Sequence, residues 1–276
     1  MEKTLDKKYN ELLAVLKGYG SIVVAFSSGV DSTLLLYAAK EALGDKVIAA
    51  TATSCTFPER ERNEAVDFCK KLGVKHVVIE TDELATPGFK ENPKDRCYIC
   101  KKTLFQNFID LAEKEGFAAV VEGSNVDDEG DYRPGLKAIA ELDIKSPLRA
   151  AKLTKAEIRA LSEEFDLPTY NKPSYACLAS RFPYGELITK EKLALVDKGE
   201  QLLYDLGFKQ FRVRIHGNSN FVARIELLPE DFGRLLESEL RDKISAEFKS
   251  FGFAYTSLDL KGYRTGSMNE TLKKTK

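Results

Sequence analysis

The run Ser21-Ile22-Val23-Val24-Ala25-Phe26 passes directly into Ser27-Ser28-Gly29-Val30-Asp31-Ser32-Thr33 and then into Leu34-Leu35-Leu36-Tyr37-Ala38-Ala39. An apolar strand, a turn of small residues and an apolar helix in immediate succession leave few options. The natural one is a parallel strand feeding a helix across a tight loop. Small residues let the backbone turn sharply, so successive N–H groups and the helix N-terminus converge on one anion, as a phosphate requires. Neither GxxxxGK(S/T) nor GxGxxG occurs, so this is neither a Walker loop nor a dinucleotide fingerprint. An ordinary strand-to-helix turn with a Ser or Asp cap is the plainer reading of the same residues.

The rest of the first half repeats the strand–helix alternation. Residues 47–52 predict a buried parallel strand, and residues 58–72 carry Ala65, Val66, Phe68, Cys69 and Leu72 near helical spacing, closed by Gly73. Residues 76–80 read as a third strand, 82–96 as loop, 101–115 as a helix ended by Gly116, and 118–122 as a further strand. The pattern predicts a parallel, doubly wound sheet, with ligands beyond the carboxyl ends of its strands. Those ends carry Ser27 to Ser32, Thr53-Ser54-Cys55 and Glu122-Gly123-Ser124-Asn125. Further on, Thr154 with Glu157 predicts a capping box. Residues 168–185, rich in Pro, Tyr, Asn and Ser, read as a link. Beyond it come a helix near 189–206, a hairpin from 211–216 and 221–226, a helix near 230–249 and a strand near 253–259. Together they predict a small α+β domain.

Composition narrows the function classes. Of 276 residues 42 are basic and 43 acidic, giving a net charge of −1, and 43% are hydrophobic. That balance exerts no general pull on nucleic acid or on an anionic membrane. No apolar run approaches ~18–20 residues and the first eight residues form no leader, so a cytoplasmic protein is expected. Five cysteines in a reducing compartment point to buried thiols, catalysis or metal before disulfides. Cys97-Tyr98-Ile99-Cys100 stands at a loop-to-helix junction, and Cys177 lies far along the chain. Only His76 and His216 could complete a zinc site, and His76 reads as structural, so a closed zinc site is disfavoured. Three thiolates with one vacancy fit a [4Fe–4S] cluster with an open iron. An incidental or redox-active pair with an unpaired Cys177 fits the same spacing. Cys55 and Cys69 read as structural. Arg212 and Arg214, two apart on a strand, point the same way and could grip a phosphate or form a solvated face. Asp128 and Asp131 could hold Mg²⁺ or simply form an acidic turn.

Several blocks resemble a known family. Ser27 to Ser32 resembles the SGGxDS pyrophosphate loop of N-type ATP pyrophosphatases, which cut ATP between its α and β phosphates; Ser28 stands where a second glycine is usual. The PL…TKxEIRxL stretch from Pro147 to Leu161 resembles the segment that closes the ATP domain of that superfamily. Asp127-Asp128-Glu129-Gly130-Asp131-Tyr132-Arg133-Pro134-Gly135-Leu136, Ser180-Arg181-Phe182-Pro183-Tyr184-Gly185 and Arg212-Val213-Arg214 together resemble the LarE family. Its members are sulfur transferases that mature the nickel-pincer cofactor of lactate racemase. The likeness runs from about residue 10 to about residue 270.

The resemblance implies an α/β fold, an adenine nucleotide α-hydrolase-like parallel sheet with helices on both faces over residues 1–165. A smaller C-terminal α+β domain for substrate binding and oligomerisation would follow over 166–276. It implies that ATP adenylylates a carboxylate of pyridinium-3,5-biscarboxylic acid mononucleotide, after which sulfur displaces AMP. Ser27, Ser28, Gly29, Asp31 and Ser32 would hold pyrophosphate with Mg²⁺, Asp31 either supporting the loop or approaching the metal. Some members sacrifice one cysteine sulfur; in others three cysteines hold a [4Fe–4S] cluster, and Cys97, Cys100 and Cys177 match that arrangement. Arg212 and Arg214 would bind the substrate phosphate with Ser180 and Arg181 nearby. Glu200 and Asp231 match acidic positions where metal binds at a subunit junction of a homo-oligomer, although read alone they are surface acids. The competing readings are a cluster-dependent tRNA thiolase, an amide-forming ligase of the NAD or GMP synthetase type, and a nucleotide-binding regulator. Against the thiolase stand the near-zero net charge and the lack of an RNA-binding appendage. Against the ligase stand three superfluous cysteines.

Overall fold

The computed structural model describes residues 3–128, 134–173 and 176–274. Asp131, and with it the centre of the Asp127 to Leu136 block, lies outside the described residues. The chain divides into two compact units, Met1–Thr86 with Asp95–Tyr175, and Pro87–Lys94 with Ala176–Lys276.

In the first unit the elements run α1 (Lys3–Tyr19), β1 (Ile22–Ala25), α2 (Val30–Leu43), β2 (Val47–Thr53), α3 (Glu59–Leu72), β3 (Lys75–Glu80), α4 (Arg96–Glu115), β4 (Ala119–Val121), α5 (Pro134–Glu141), α6 (Pro147–Ala150) and α7 (Lys155–Glu164). The strands form a four-stranded sheet in the order β3-β2-β1-β4. All its pairings are parallel, with Ile22 opposite both Val47 and Ala119. Parallel strands need crossovers, and helices on both faces leave each strand apolar on both sides. Alternation along β1 shows this directly. Ile22 and Val24 enter one core with Leu12 and Leu16 of α1, Leu34 and Leu35 of α2, and Ile158 and Leu161 of α7. Val23 enters a second core with Ile48, Phe105 and Phe108 of α4, and Ile139 of α5. The doubly wound sheet expected from the sequence is therefore present, as are the Gly73 cap, left-handed at φ 66°, and the Thr154–Glu157 capping box. Helix α4 starts at Arg96, not near 101, so Cys97 lies in its first turn and Cys100 at the start of its second. No helix among the described residues is long and apolar enough to cross a membrane.

The second unit contains α8 (Lys190–Asp205), β5 (Phe211–His216), β6 (Val222–Leu227), α9 (Phe232–Leu236), α10 (Ser238–Phe251) and β7 (Tyr255–Leu258). Its sheet runs β5-β6-β7, antiparallel at the first pairing and parallel at the second. The expected helix near 230–249 is broken in two, because Glu237 leaves the helical region at ψ 131°. Gly199 lets α8 pack closely: a Cβ there would stand 3.0 Å from the Phe248 ring and 3.3 Å from Val213. Residues 87–94 join this unit through main-chain bonds from Gly185 N–H to the Asn92 carbonyl (2.9 Å) and from Ile188 N–H to the Lys90 carbonyl (2.8 Å). The Asn92 side chain also donates to the Pro183 carbonyl at 2.6 Å.

Both histidines are half-buried, and burial holds each imidazole below its ordinary pKa; at His216, Arg224 lowers it further. Arg224 donates to His216 Nε2 at 3.1 Å, which requires an unprotonated ring nitrogen. His76 Nε2 sits 2.8 Å from the Thr51 hydroxyl, the structural role expected for it. A depressed folded pKa means that the unfolded chain binds these protons more readily. The stability contribution is therefore present above the unfolded value of ~6.5 and is lost as pH falls below it. The melting temperature is expected to fall between pH 7.5 and 5.5, before the carboxylates titrate, and the fall should shrink in His216→Asn. An unchanged melting temperature over that interval would contradict this account.

Candidate active site

The turn between β1 and α2 has the construction of an anion cradle. Gly29 is the N-cap of α2, extended at φ −79° and ψ 165°, and it provides no side-chain cap. A capped turn would close the first-turn N–H groups with the N-cap side chain; at Gly29 there is none to do so. The Ser32 hydroxyl folds back to the Gly29 carbonyl (3.2 Å) and lies 3.2 Å from the Ser27 hydroxyl, which stiffens the loop from within. Ser28 adopts φ +53°, the left-handed conformation that glycine usually supplies at such a turn. Beside the loop, a Cβ on Gly123 would meet Ser32 N at 3.1 Å and Asp31 Cβ at 3.2 Å. The end of β4 thus approaches α2 as closely as only glycine comfortably allows.

Asp31, in the first turn of α2, accepts from the Asn125 amide at 3.1 Å and pairs with the Lys155 ammonium. Its carboxylate therefore supports the loop in this structure. Asp127 accepts from Lys155 N–H (2.7 Å) and Asp128 from Asn125 N–H (3.0 Å), so both serve the turn around β4. Glu122 is buried and takes up Ser124 N–H at 3.0 Å, the Ser124 hydroxyl at 2.7 Å and the Ser146 hydroxyl at 2.5 Å. The two partners of Asp31 lie 94 and 124 positions away and leave no local signal, although Lys155 does open the helix that the capping box announces.

The second unit holds a buried charge cluster. Arg181 is 0% exposed, and its guanidinium forms a fork with Glu200: Nε to Oε1 at 2.7 Å and Nη2 to Oε2 at 2.8 Å. Its Nη1 donates to the Ser180 hydroxyl at 2.7 Å and the Ala176 carbonyl at 2.9 Å. Glu200, on α8, also accepts Val213 N–H at 3.0 Å, satisfying the edge strand β5. Burial alone would raise the Glu200 pKa; Arg181 and the Val213 N–H more than offset it and hold the carboxyl below its usual range. Glu200 is thus no surface acid. Asp231 is half-exposed at the end of a single 3₁₀ turn.

Arg212 and Arg214 share one face of β5, opposite the apolar face of Phe211, Val213 and Ile215. That face is covered, not solvated: Arg212 is 4% and Arg214 5% exposed. Arg212 stacks on the Tyr263 ring, 5.0 Å from its centroid. Arg214 donates to the Ser180 carbonyl (2.9 Å), Glu226 (2.8 Å) and the Ser267 hydroxyl (3.0 Å), while its buried Nε has no hydrogen-bond partner among the described residues. Burial, reinforced by Arg181, lowers the Arg212 pKa to about 10, and burial lowers that of Arg214 as well. Arg212 therefore remains a cation at neutral pH. Three buried guanidiniums against the carboxylates of Glu200 and Glu226 leave an excess positive charge, the electrostatic requirement for binding a phosphate.

Cys97 is exposed and Cys100 half-buried within the first five residues of α4 in the first unit, whereas Cys177 is exposed in the second. Cys97 and Cys100, three residues apart in a helix, share a face near its N-terminal end. Cys69 is buried, and burial pushes its thiol up to about 12, the inert behaviour expected of it. Among the described residues no group of three His, Cys, Asp or Glu side chains converges on a metal position.

Comparison with known proteins extends this geometry. The NAD synthase family profile matches residues 14–96, the stretch that contains the loop, β1, α2 and β2. A pyridinium-3,5-bisthiocarboxylic acid mononucleotide synthase of Lactiplantibacillus plantarum is 40% identical over 272 residues, 98% of this chain and 97% of that protein. An uncharacterized protein of Synechocystis sp. is 39% identical over 270 residues, covering 98% of this chain and all of the relative. A glutamine-hydrolyzing GMP synthase chain from Thermoplasma volcanium is 28% identical over 193 residues, 64% of this chain and 61% of that one. Since the 40% identity spans nearly the full length of both chains, this chain belongs to the LarE family of the PP-loop superfamily.

Proposed function

We propose that the chain is an ATP-dependent sulfur transferase that forms a thiocarboxylate on pyridinium-3,5-biscarboxylic acid mononucleotide. The observation that carries this reading is the near-full-length identity to a synthase named for that thiolated product. A carboxylate is a poor electrophile. Attack of its oxygen on the α-phosphorus of ATP expels pyrophosphate and gives an acyl adenylate. Sulfur then attacks the acyl carbon and AMP leaves. The loop from Ser27 to Ser32, with its uncapped helix N-terminus, would take the pyrophosphate portion together with Mg²⁺. Arg212 and Arg214 would take the phosphate of the mononucleotide, with the Ser180 carbonyl holding Arg214 and Arg181 bonded to the Ser180 hydroxyl.

Cys97, Cys100 and Cys177 supply a donor set suited to iron, all three thiols being at least partly accessible. They would hold a [4Fe–4S] cluster, which supplies sulfide at its open iron when bound. A homo-oligomer in which Asp231 helps to hold a metal belongs to the same proposal; the carboxylate of Glu200, fully buried in its fork with Arg181, is committed to that pair instead.

The test supplies ATP, Mg²⁺ and the biscarboxylic mononucleotide to chain reconstituted anaerobically with iron and sulfide. The expected result is substrate-dependent release of AMP and pyrophosphate, with replacement of a carboxylate oxygen by sulfur seen by mass spectrometry. Cys97→Ser, Cys100→Ser and Cys177→Ser should each abolish the thiocarboxylate while pyrophosphate release continues. Amide formation with ammonia, untouched by the three substitutions, would overturn the reading in favour of a ligase. Tight, salt-dependent tRNA binding would overturn it in favour of a tRNA thiolase.

A further inference from the structure

Behind the phosphate loop lies a charged cluster that the chemistry above leaves unused. Ser28 is left-handed without being glycine, so its surroundings must hold it there. Its hydroxyl donates to the Glu61 main-chain carbonyl at 3.0 Å and lies 3.2 Å from Glu61 Oε2. The Lys172 ammonium donates to the Ser28 carbonyl (3.1 Å), to Glu61 Oε2 (2.7 Å) and to Glu64. All three ammonium protons are thereby used. The main chain of Lys172 is anchored in turn, its carbonyl accepting from Arg159 of α7 at 2.8 Å.

The electrostatics give this contact a purpose. The Glu61 side chain is 5% and that of Lys172 11% exposed. Glu61 Oε1 is buried without a hydrogen-bond partner among the described residues, with Arg60 Nε 3.8 Å away. A buried carboxylate touching the loop opposes any anion that enters it, unless a cation offsets its charge. Lys172 is the cation bonded directly to Glu61, with the Arg60 guanidinium farther off on the other oxygen, and it holds a carbonyl of the loop at the same time.

We propose that Lys172 is a positioning residue for ATP binding, fixing the left-handed turn at Ser28 and cancelling the Glu61 charge behind the phosphate loop. This rests on the reading of that loop as an ATP cradle. The arrangement joins α3, the loop and the segment after α7, and it accounts for serine in place of glycine: Ser28 anchors to Glu61, and Glu61 requires Lys172.

The test is calorimetric titration of the full chain with α,β-methylene-ATP and Mg²⁺, which reads affinity independently of sulfur transfer. Lys172→Met is expected to weaken binding about tenfold or more, the scale of one uncompensated charge ~10 Å from a phosphate at an effective dielectric of ~20. Glu61→Gln combined with Lys172→Met should regain most of that loss, and Lys172→Arg should stay within about threefold of the unaltered chain. Lys172→Gln keeps a donor for the Ser28 carbonyl but deletes the charge; it serves if the methionine variant does not fold, and the same weakening is expected. A merely structural lysine would lower the melting temperature and leave affinity unchanged, and that result would overturn the proposal. A double variant as weak as Lys172→Met would also overturn it. Failure of the unaltered chain to bind the nucleotide would remove the ATP-cradle reading itself, and the role of Lys172 with it.

Discussion

Arg181→Met is expected to cost about 3–5 kcal/mol of folding stability, a large part of the ~5–15 kcal/mol that holds a typical domain together. The reason lies less in the lost ion pair than in what remains. Glu200 is fully buried, and removing the forked guanidinium leaves its carboxylate without its principal counter-charge. The Val213 N–H and the more distant Arg212 charge do not offset that desolvation. Urea denaturation of the variant should show a much lower midpoint with an unchanged slope. Arg181→Met combined with Glu200→Leu should recover most of the loss, because two well-packed apolar groups avoid the burial cost of both charges. A single variant as stable as the unaltered chain would show that Arg212 or water suffices to offset the Glu200 charge.

Arg212→Gln is expected to weaken binding of the substrate mononucleotide by about 2–3 kcal/mol, roughly 30- to 160-fold, through loss of charge-assisted bonds to its phosphate. The guanidinium is pre-oriented by the Tyr263 ring and, with a pKa of about 10, stays charged at the pH of the assay. Arg212→Lys should recover only part of the loss, since an ammonium supplies a point charge without the planar fork. Equilibrium dialysis against the mononucleotide and against its dephosphorylated nucleoside separates the cases. The nucleoside should bind the variant and the unaltered chain alike. Equal weakening for both ligands would place Arg212 away from the phosphate.

The parts legible in the sequence were those written in local periodicity. Strand β1, the loop and α2 follow one another without interruption, the strands of the first unit alternate with helices, and Thr154 with Glu157 announces its own cap. What escaped depends on distant partners. Arg-Val-Arg alternation reads as a strand with one wet face, yet Tyr263, Ser267 and the Ser180 carbonyl cover that face from 34 or more positions away. Glu200 sits in a helix rich in charged residues and looks like any surface acid until Arg181 meets it. The early start of α4 has a similar origin. Aromatic and β-branched residues in Cys97-Tyr98-Ile99-Cys100 carry little helix propensity, but Tyr98 donates to Glu141 of α5 at 2.6 Å and packs beneath Lys102 and Lys137. Lys172 and Ser28 stand 144 positions apart, and nothing local connects them.

That residues 87–94 are packed with 176–276 has a consequence for how the protein is made. As the chain leaves the ribosome, this segment emerges about eighty residues ahead of the first of its partners, a delay of ~4–16 s at ~5–20 residues per second. During that interval Asn92 waits without the Pro183 carbonyl it will bond. The first unit meanwhile completes its parallel sheet around an unfinished excursion. Assembly of the second unit is consequently a late event that closes on a segment laid down early. A transplant of that unit into another PP-loop protein would have to carry both pieces of chain, not the C-terminal one alone.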